Sequence, residues 1–190
     1  MARQHRGRRP APPARAPYRG PGWKHQPALG VDVGGVIVAL AGRAEDTSFF
    51  GTRPLETPAT EGVFEALAAL TEGPFAGRVH VVSKAGPKVE ANTRAWLQHH
   101  DFFARTGVGV GNVHFVRERR DKAPVCERLG LTHFVDDRLD VLAYLATVGH
   151  RFLFTGGTDE PVADHLPDWA TAVDSWAALT ELLAGGDDLA

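Results

Sequence analysis

Short apolar runs alternate with segments of helical periodicity along most of this 190-residue chain, and the alternation limits its fold more than any other feature. Strands separated by helices of this length build βαβ units, in which a parallel sheet carries helices on both faces. The chain is long enough for one such domain with a sizeable core. We therefore predict an α/β fold with a Rossmann-like, doubly wound parallel sheet of about five strands. The apolar runs lie at residues 29–33, 79–82, 113–116, 133–135 and 152–154.

Segments with a helical period fill the gaps between these runs. In residues 61–71, for example, Leu67 and Leu70 share one face. Ser175 has the residue type of a helix N-cap and opens a last helix that runs through Leu183. The other predicted helices cover residues 87–99, 122–129 and 138–147.

The first 27 residues differ in composition from the rest of the chain. They contain seven Arg and Lys residues and no Asp or Glu, together with many Pro and Gly. Such a composition buries too little apolar surface to order itself, so we predict a basic, disordered tail. The remainder holds fourteen cationic against 23 acidic residues, which makes residues 28–186 an acidic α/β domain behind a basic arm. An arm of this kind allows weak contact with nucleic acid.

Two absences in the sequence bear on the compartment. No run of 18 apolar residues occurs, so we expect no membrane span, and the N-terminal segment lacks the apolar stretch of a secretory signal. The single cysteine, Cys126, permits no internal disulfide, which suits a reducing compartment. We predict a cytoplasmic protein.

Residues 39–60 have neither a helical nor a strand period. The segment is too short for a second domain, and it follows the first predicted strand directly. Loops at the carboxyl ends of parallel strands build the sites of such folds. We predict a loop or flap beside a site.

Asp32 stands at the end of the first apolar run, just before Gly34 and Gly35. A lone carboxylate at the end of a buried strand costs free energy unless it has a partner or a function. Capping of a turn is the plain structural alternative.

Other polar residues follow the next strands in the same way. Ser83 and Lys84 end the second run, and Lys122 opens the helix after the third. Asp136 and Asp137 follow the fourth run directly. Each residue also has a plain structural alternative. Lys122 could be a solvated surface charge. Asp137 and Asp140, which lies one helical turn further on, could stabilise a helix N-terminus electrostatically.

The order of these residues resembles that of the haloacid dehalogenase-like (HAD) superfamily, over roughly residues 28–155. That family has a strand ending in Asp, a strand ending in Ser or Thr, a Lys, and a strand ending in paired acids. The resemblance implies a sheet of order 3-2-1-4-5, whose carboxyl edge brings the motifs together. No large cap domain fits between the predicted strands, so a comparatively open site is expected.

The resemblance also implies a chemistry, that of a Mg²⁺-dependent phosphomonoester hydrolase with an aspartyl-phosphate intermediate. Oxygen ligands suit Mg²⁺, and the metal and a Lys would compensate the charge of an anionic substrate. The implied substrate is a phosphorylated small molecule or macromolecule. By this resemblance the catalytic residues are Asp32, Ser83 and Lys122; the metal ligands are Asp32, the Gly34 carbonyl, Asp136 and Asp137; and the phosphate contacts are Gly35, Ser83, Lys84 and Lys122.

The sequence departs from the family at Gly34, where family phosphatases usually carry a second Asp. That Asp protonates the leaving group and activates water, an effect of roughly 10²–10⁴-fold. Three alternatives stay open: a leaving group that needs no proton, an acid lent by the flap (Glu45, Asp46 or Glu56), or a domain that binds phosphate without turnover.

Three rival interpretations remain to be weighed. Actin- and hexokinase-like sugar kinases have a similar first strand, but Val36 replaces their Thr and the chain is too short for their two domains. The Gly-rich residues 107–111 precede a strand, which is the wrong context for a dinucleotide loop and favours a plain connector. The third is a non-enzyme: a HAD-like phosphate-binding or regulatory module, associated with nucleic acid through its arm.

Overall fold

A six-stranded, entirely parallel sheet forms the centre of the protein in our computed structural model, which describes residues 26–40, 50, 53–157 and 165–184. The strand order is β3-β2-β1-β4-β5-β6. This confirms the predicted doubly wound order and adds one strand at the β5 edge. The strands are β1 (Leu29–Val31), β2 (Val79–Lys84), β3 (Val113–Val116), β4 (His133–Asp136), β5 (His150–Phe154) and β6 (Ala170–Val173).

Six α-helices accompany the sheet within the described residues. Ser175 caps the last of them as predicted, since its Oγ accepts a hydrogen bond from the Ala178 N–H at 3.2 Å. The helix predicted at 138–147 is shorter than expected, because the chain leaves helical geometry at Leu145. The helices are α1 (Val63–Glu72), α2 (Pro87–His99), α3 (Phe102–Thr106), α4 (Lys122–Leu129), α5 (Leu139–Tyr144) and α6 (Trp176–Ala184).

Helices cover both faces of the sheet, and each face has its own apolar cluster. Trp96 of α2 and Trp176 of α6 are fully buried in the larger cluster, together with α1 and α3. Val125 of α4 and Leu142 of α5 belong to the smaller cluster on the other face. Among the described residues no second domain interrupts this three-layer arrangement, in agreement with the absence of a large cap.

The central strand β1 depends on a glycine. A Cβ added at Gly30 would lie 2.3 Å from the ring of Phe134 on β4, far inside van der Waals contact. The small residue lets the neighbouring strand pack its aromatic ring across β1. This close packing fixes the two strands whose carboxyl ends carry Asp32 and Asp136.

The chain turns sharply after β1. The N–H groups of Ile37 and Val38 both donate to the carbonyl of Val33 at 2.9 Å. The indole N–H of Trp176 donates to the carbonyl of Val36 at 3.0 Å, which ties the turn to α6. The turn is therefore held by main-chain bonds inside and by a buried side chain outside.

The predicted flap at 39–60 is described only at its ends. Residues 41–49 and 51–52 lie outside the described residues. Val38 and Ala59 form an antiparallel bridge, and the Ala39 N–H donates to the carbonyl of Pro58 at 2.9 Å. The two ends of the segment thus leave and re-enter the domain side by side.

None of the helices in the described part of the chain is long and apolar enough to cross a bilayer.

Candidate active site

The register of the sheet places Asp32 beside Asp136. Val31 of β1 pairs with Val135 of β4, and the Asp32 N–H donates to the carbonyl of Val135 at 3.0 Å. Asp136 is the last residue of β4, so both carboxylates stand at the same level of the carboxyl edge. Two acids that are far apart in the sequence therefore meet because their strands are neighbours.

Lys122, the first residue of α4, lies between these two carboxylates. Its Nζ is 3.0 Å from Oδ1 of Asp32 and donates a hydrogen bond to Oδ2 of Asp136 at 2.7 Å. The side chain is only 1% exposed, so the alternative of a solvated surface lysine is wrong. Burial alone would lower the pKa of Lys122, but the Asp136 and Asp32 carboxylates outweigh it and raise that pKa above its ordinary value. Lys122 is therefore a buried, permanent cation.

The surroundings of Asp136 and Asp137 disfavour the ionised form of both carboxyl groups. Burial raises the pKa of Asp136 to about 6, against the opposing effect of Lys122. Burial and the Asp136 and Asp32 carboxylates raise the pKa of Asp137 to about 8. A cation near these groups would lower both pKa values, since it favours the charged forms.

The geometry of the three acids fits a small divalent cation. One carboxylate oxygen from each of Asp32, Asp136 and Asp137 lies within 4.8 Å of the others. Oδ1 of Asp32 is buried, and no donor of the described chain meets it at hydrogen-bonding angles, although Lys122 Nζ lies 3.0 Å away as an ion pair. An all-oxygen set with one under-bonded carboxylate oxygen is the donor chemistry that Mg²⁺ prefers.

The glycines after Asp32 allow the site to be this compact. Gly35 has a φ of 71°, and a Cβ there would lie 2.5 Å from Oδ2 of Asp137. Only glycine meets both conditions. Gly34 is not among the described glycines with positive φ, and its carbonyl accepts none of the main-chain hydrogen bonds found in the described chain. The Gly34 carbonyl therefore has no main-chain partner among the described residues, a condition for its predicted role in metal binding.

Ser83 and Lys84 are the last two residues of β2, on the other side of β1. Val81 pairs with Val31, so Ser83 lies one step further along the carboxyl edge than Asp32. Ser83 is buried, and within the described chain its hydroxyl makes no hydrogen bond. Lys84 is half-buried beside it, level with Val116 of β3. A free donor and a cation thus follow the strand next to Asp32.

Glu56, one of the flap acids considered as a replacement for the missing Asp, lies elsewhere. It belongs to a 3₁₀ turn (Pro54–Glu56) and forms an exposed ion pair with Arg53 at 3.0 Å. The indole N–H of Trp96 donates to the carbonyl of Thr57 at 2.8 Å, which ties this turn to the C-terminal half of α2. Because α2 starts at the carboxyl edge and rises about 1.5 Å per residue, Trp96 stands roughly 13 Å away from that edge. Glu45 and Asp46 lie outside the described residues.

Two further features complete the description of the site. Asp140 pairs with Arg138 at 3.0 Å on the surface and does not join the acidic cluster. Gly157, which the sequence analysis did not single out, packs on the Asp32 loop: a Cβ there would lie 2.0 Å from the carbonyl oxygen of Gly35. The available signal was a Gly pair, Gly156 and Gly157, placed just after the fifth apolar run.

The similarity found between this chain and known proteins is one of structure. No family model matches it. No curated protein sequence matches it either. Among solved structures, a haloacid dehalogenase-like family hydrolase from Xanthomonas campestris superimposes with a TM-score of 0.56 and 14% identity, over 85% of this chain and 96% of the other.

The chain has a haloacid dehalogenase-like fold. This agrees with the fold that its motifs implied, and the likeness extends to nearly the whole length of that hydrolase. At 14% identity it carries no statement about activity or substrate, which have to be argued from the site itself.

Proposed function

We propose that the protein is a Mg²⁺-dependent phosphomonoester hydrolase, acting in the cytoplasm through an aspartyl-phosphate on Asp32. The observation that carries the proposal is the buried contact of Lys122 with both Asp32 and Asp136 at the carboxyl edge. A fully buried lysine held by two acids is costly in a site without function. Ser83, with its free hydroxyl, supports the same conclusion from the neighbouring strand.

Each side chain has a distinct role in this reaction. Asp32 is the nucleophile, because it follows the central strand and is the most exposed of the three partners in the ion-pair network. Ser83 donates a hydrogen bond to a phosphoryl oxygen, and Lys122 neutralises negative charge on the transferring group. Gly35, which has no side chain, leaves room for the phosphate. Lys84 adds positive charge beside it.

Asp136, Asp137, Asp32 and the Gly34 carbonyl would hold the metal. When bound, Mg²⁺ supplies positive charge that brings the anionic substrate and the anionic nucleophile together. Asp136 also accepts a hydrogen bond from the Arg138 N–H at 3.0 Å, which fixes its orientation in the site.

The proposal is tested by phosphate release from a panel of metabolite and oligonucleotide phosphates, with Mg²⁺ and with chelator. We expect Mg²⁺-dependent release that Asp32→Asn reduces by at least about 10³-fold, since it removes the nucleophile. Asp140→Asn, an exposed acid nearby, is the matched control and should keep its activity. Binding of beryllofluoride, an aspartyl-phosphate mimic, provides a readout that does not depend on substrate choice. Absence of both turnover and Mg²⁺-dependent beryllofluoride binding would refute the proposal.

Gly34 favours a second candidate, a phosphate-binding or regulatory module with weak or no turnover. In that case the basic arm, residues 1–27, would recruit nucleic acid by neutralising phosphates. Binding of RNA or DNA that weakens with salt, and that disappears on deleting residues 1–27, would support the module. Beryllofluoride binding without turnover on the whole panel would support it further.

A further inference from the structure

Residue 34 carries no acid that could protonate a leaving group. We infer that the substrate carries its phosphate on a leaving group that is a stable anion without a proton, such as the carboxylate of an acyl phosphate. This rests on the proposed function and names a substrate class for the same site. Three observations support it: the turn that holds Gly34, the position of Glu56 away from Asp32, and the fact that Asp32 is itself the leaving group of the second step.

Gly34 sits in a turn that is held on both sides. The Val38 N–H donates to the Val33 carbonyl at 2.9 Å, and the Gly35 N–H donates to the Val38 carbonyl at 2.8 Å. Trp176 holds the same turn from α6 through the Val36 carbonyl. The turn is therefore held by hydrogen bonds on both sides beside Asp32, and a glycine at position 34 has no side chain that donates a proton.

The other acids of the described site have different positions or partners. Asp136 is fully buried and bound to Lys122 and to the Arg138 N–H. Asp137 packs against Gly35, within the cluster that suits a metal. Glu56 is tied to the far half of α2 through the Thr57 carbonyl. None of these three acids therefore takes the place of the acid that is missing at position 34.

In the first step an oxygen of Asp32 bonds to phosphorus, and the bond to the leaving group breaks with its electron pair going to the leaving oxygen. Phosphoryl transfer has a loose transition state, so this oxygen carries much of the negative charge. An alkoxide needs a proton at that point, because it is about as strong a base as hydroxide. A carboxylate does not, because the pKa of a carboxylic acid is about 4.

In the second step a water oxygen bonds to phosphorus, the bond to Asp32 breaks, and both protons of the water leave with the phosphate. The leaving group of this step is the carboxylate of Asp32. Every turnover therefore cleaves one acyl phosphate without help from residue 34. With an acyl phosphate as substrate, a carboxylate also leaves in the first step, so that step needs no proton from residue 34 either.

The test is a leaving-group series on the full chain with Mg²⁺: acetyl phosphate, phenyl phosphate and glycerol phosphate, with Asp32→Asn as the blank for spontaneous hydrolysis. We expect kcat/KM to fall along the series in that order. Gly34→Asp should narrow the ratio of acetyl to glycerol phosphate by about 10²-fold or more, because it supplies the missing acid. Gly34→Asn, which has nearly the same size and no acid, should leave the ratio wide.

Different outcomes would overturn the inferred substrate class and the proposed hydrolase function. Wild-type protein that cleaves glycerol phosphate as readily as acetyl phosphate, in an Asp32-dependent way, overturns the inference and leaves the hydrolase standing. A folded Gly34→Asp variant with an unchanged ratio also overturns it. Absence of Asp32-dependent cleavage across the series, together with absence of beryllofluoride binding, overturns the hydrolase instead. Circular dichroism establishes whether the Gly34 variants are folded, and the wild-type series decides the matter if they are not.

Discussion

The two ends of strand β4 bury a titratable side chain in opposite ways. His133 opens the strand and is 2% exposed, while Asp136 ends it and is fully buried. They stand roughly 10 Å apart along the strand. Because three positions separate them, they also point to opposite faces of the sheet. Asp136 meets Lys122, whereas His133 stacks on His150 with ring centroids 4.5 Å apart and meets the edge of Phe75.

The partners decide which form of each group is stable. Asp136 and Lys122 are buried together as an ion pair, beside Asp32, so each stabilises the charge of the other. Burial and the neighbouring His150 lower the pKa of His133 to about 3, so its ring is neutral in the folded protein. One end of the strand buries a charged pair, and the other buries a neutral ring in the core.

The largest effect on stability is expected for Lys122→Met. The change leaves Asp136 buried without its cationic partner, which should lower the free energy of unfolding by about 3–5 kcal/mol at pH 7 in chelator. Urea unfolding measures it. Lys88→Met, at an exposed lysine of α2, is the matched control and should change stability by less than about 0.5 kcal/mol. A loss at Lys122 no larger than at Lys88 would mean that the acidic end is not the buried ion pair described here.

The double variant Lys122→Met/Asp136→Asn sharpens this result. Removing both charges should recover much of the loss, since a buried pair replaced by neutral groups of similar size is often nearly neutral for stability. The side-chain carbonyl of the asparagine introduced at position 136 would still accept the hydrogen bond from the Arg138 N–H. Additive losses in the double-mutant cycle would contradict a direct interaction between the two side chains.

The acidic end should also make the metal-free protein less stable as pH rises. The pKa values of Asp136 and Asp137 are about 6 and about 8, above the ordinary 3.8, so the folded state holds protons that the unfolded state has released. Their favourable contribution is therefore fully present below about pH 3.8 and is lost as pH rises from there through 6 to 8. Urea midpoints in chelator should fall over this range, and Asp137→Asn should flatten the fall.

Mg²⁺ should oppose this loss, because it binds the deprotonated carboxylates. At a free concentration of 100 times its dissociation constant it would add about 2.7 kcal/mol to the stability of the folded state. The gain should be larger at pH 8 than at pH 5, and Asp136→Asn should reduce it. A gain independent of pH would argue against these carboxylates as its ligands.

Sequence patterns predicted the elements that have a clear apolar period. They missed short or partly exposed elements and contacts between separate elements. The alternation of apolar runs predicted the places of β1 to β5 along the chain and both ends of α2, since period and turn residues are local properties. The order of the strands in the sheet came from the family resemblance. The alternation missed β6, because Ala170–Val173 is partly exposed and forms no apolar run. It also missed α3, a helix of only five residues.

The same distinction holds for the site. Asp32, Ser83, Lys122 and Asp136 were found in the sequence because each stands where an element begins or ends. The burial of Lys122, the remoteness of Glu56 and the contact of Gly157 with Gly35 depend on how separate elements pack. No spacing along a single chain contains that information.

At the histidine end the pH effect has the opposite sign. The folded pKa of His133, about 3, lies below its ordinary 6.5, so the unfolded state takes up a proton first. The stability that the neutral ring provides is present above pH 6.5 and is lost as pH falls towards 3. His133→Phe should cost about 1–3 kcal/mol at pH 8, because it removes the 2.8 Å hydrogen bond between the Thr132 hydroxyl and the His133 ring. It should also weaken the loss below pH 6.5, whereas His99→Phe, at an exposed histidine of α2, should not.

The smallest effect is expected for Asp140→Asn, one helical turn beyond the acidic end. Its ion pair with Arg138 is exposed, with the two side chains 54% and 48% accessible, so it should contribute only about 0–1 kcal/mol. Added salt should reduce even that value, whereas the contribution of Lys122 should persist because its pair is buried. Parallel urea titrations at low and high salt compare the two. If salt changed the stability losses of Lys122→Met and Asp140→Asn equally, the Lys122 ion pair would not be shielded from solvent ions by its burial.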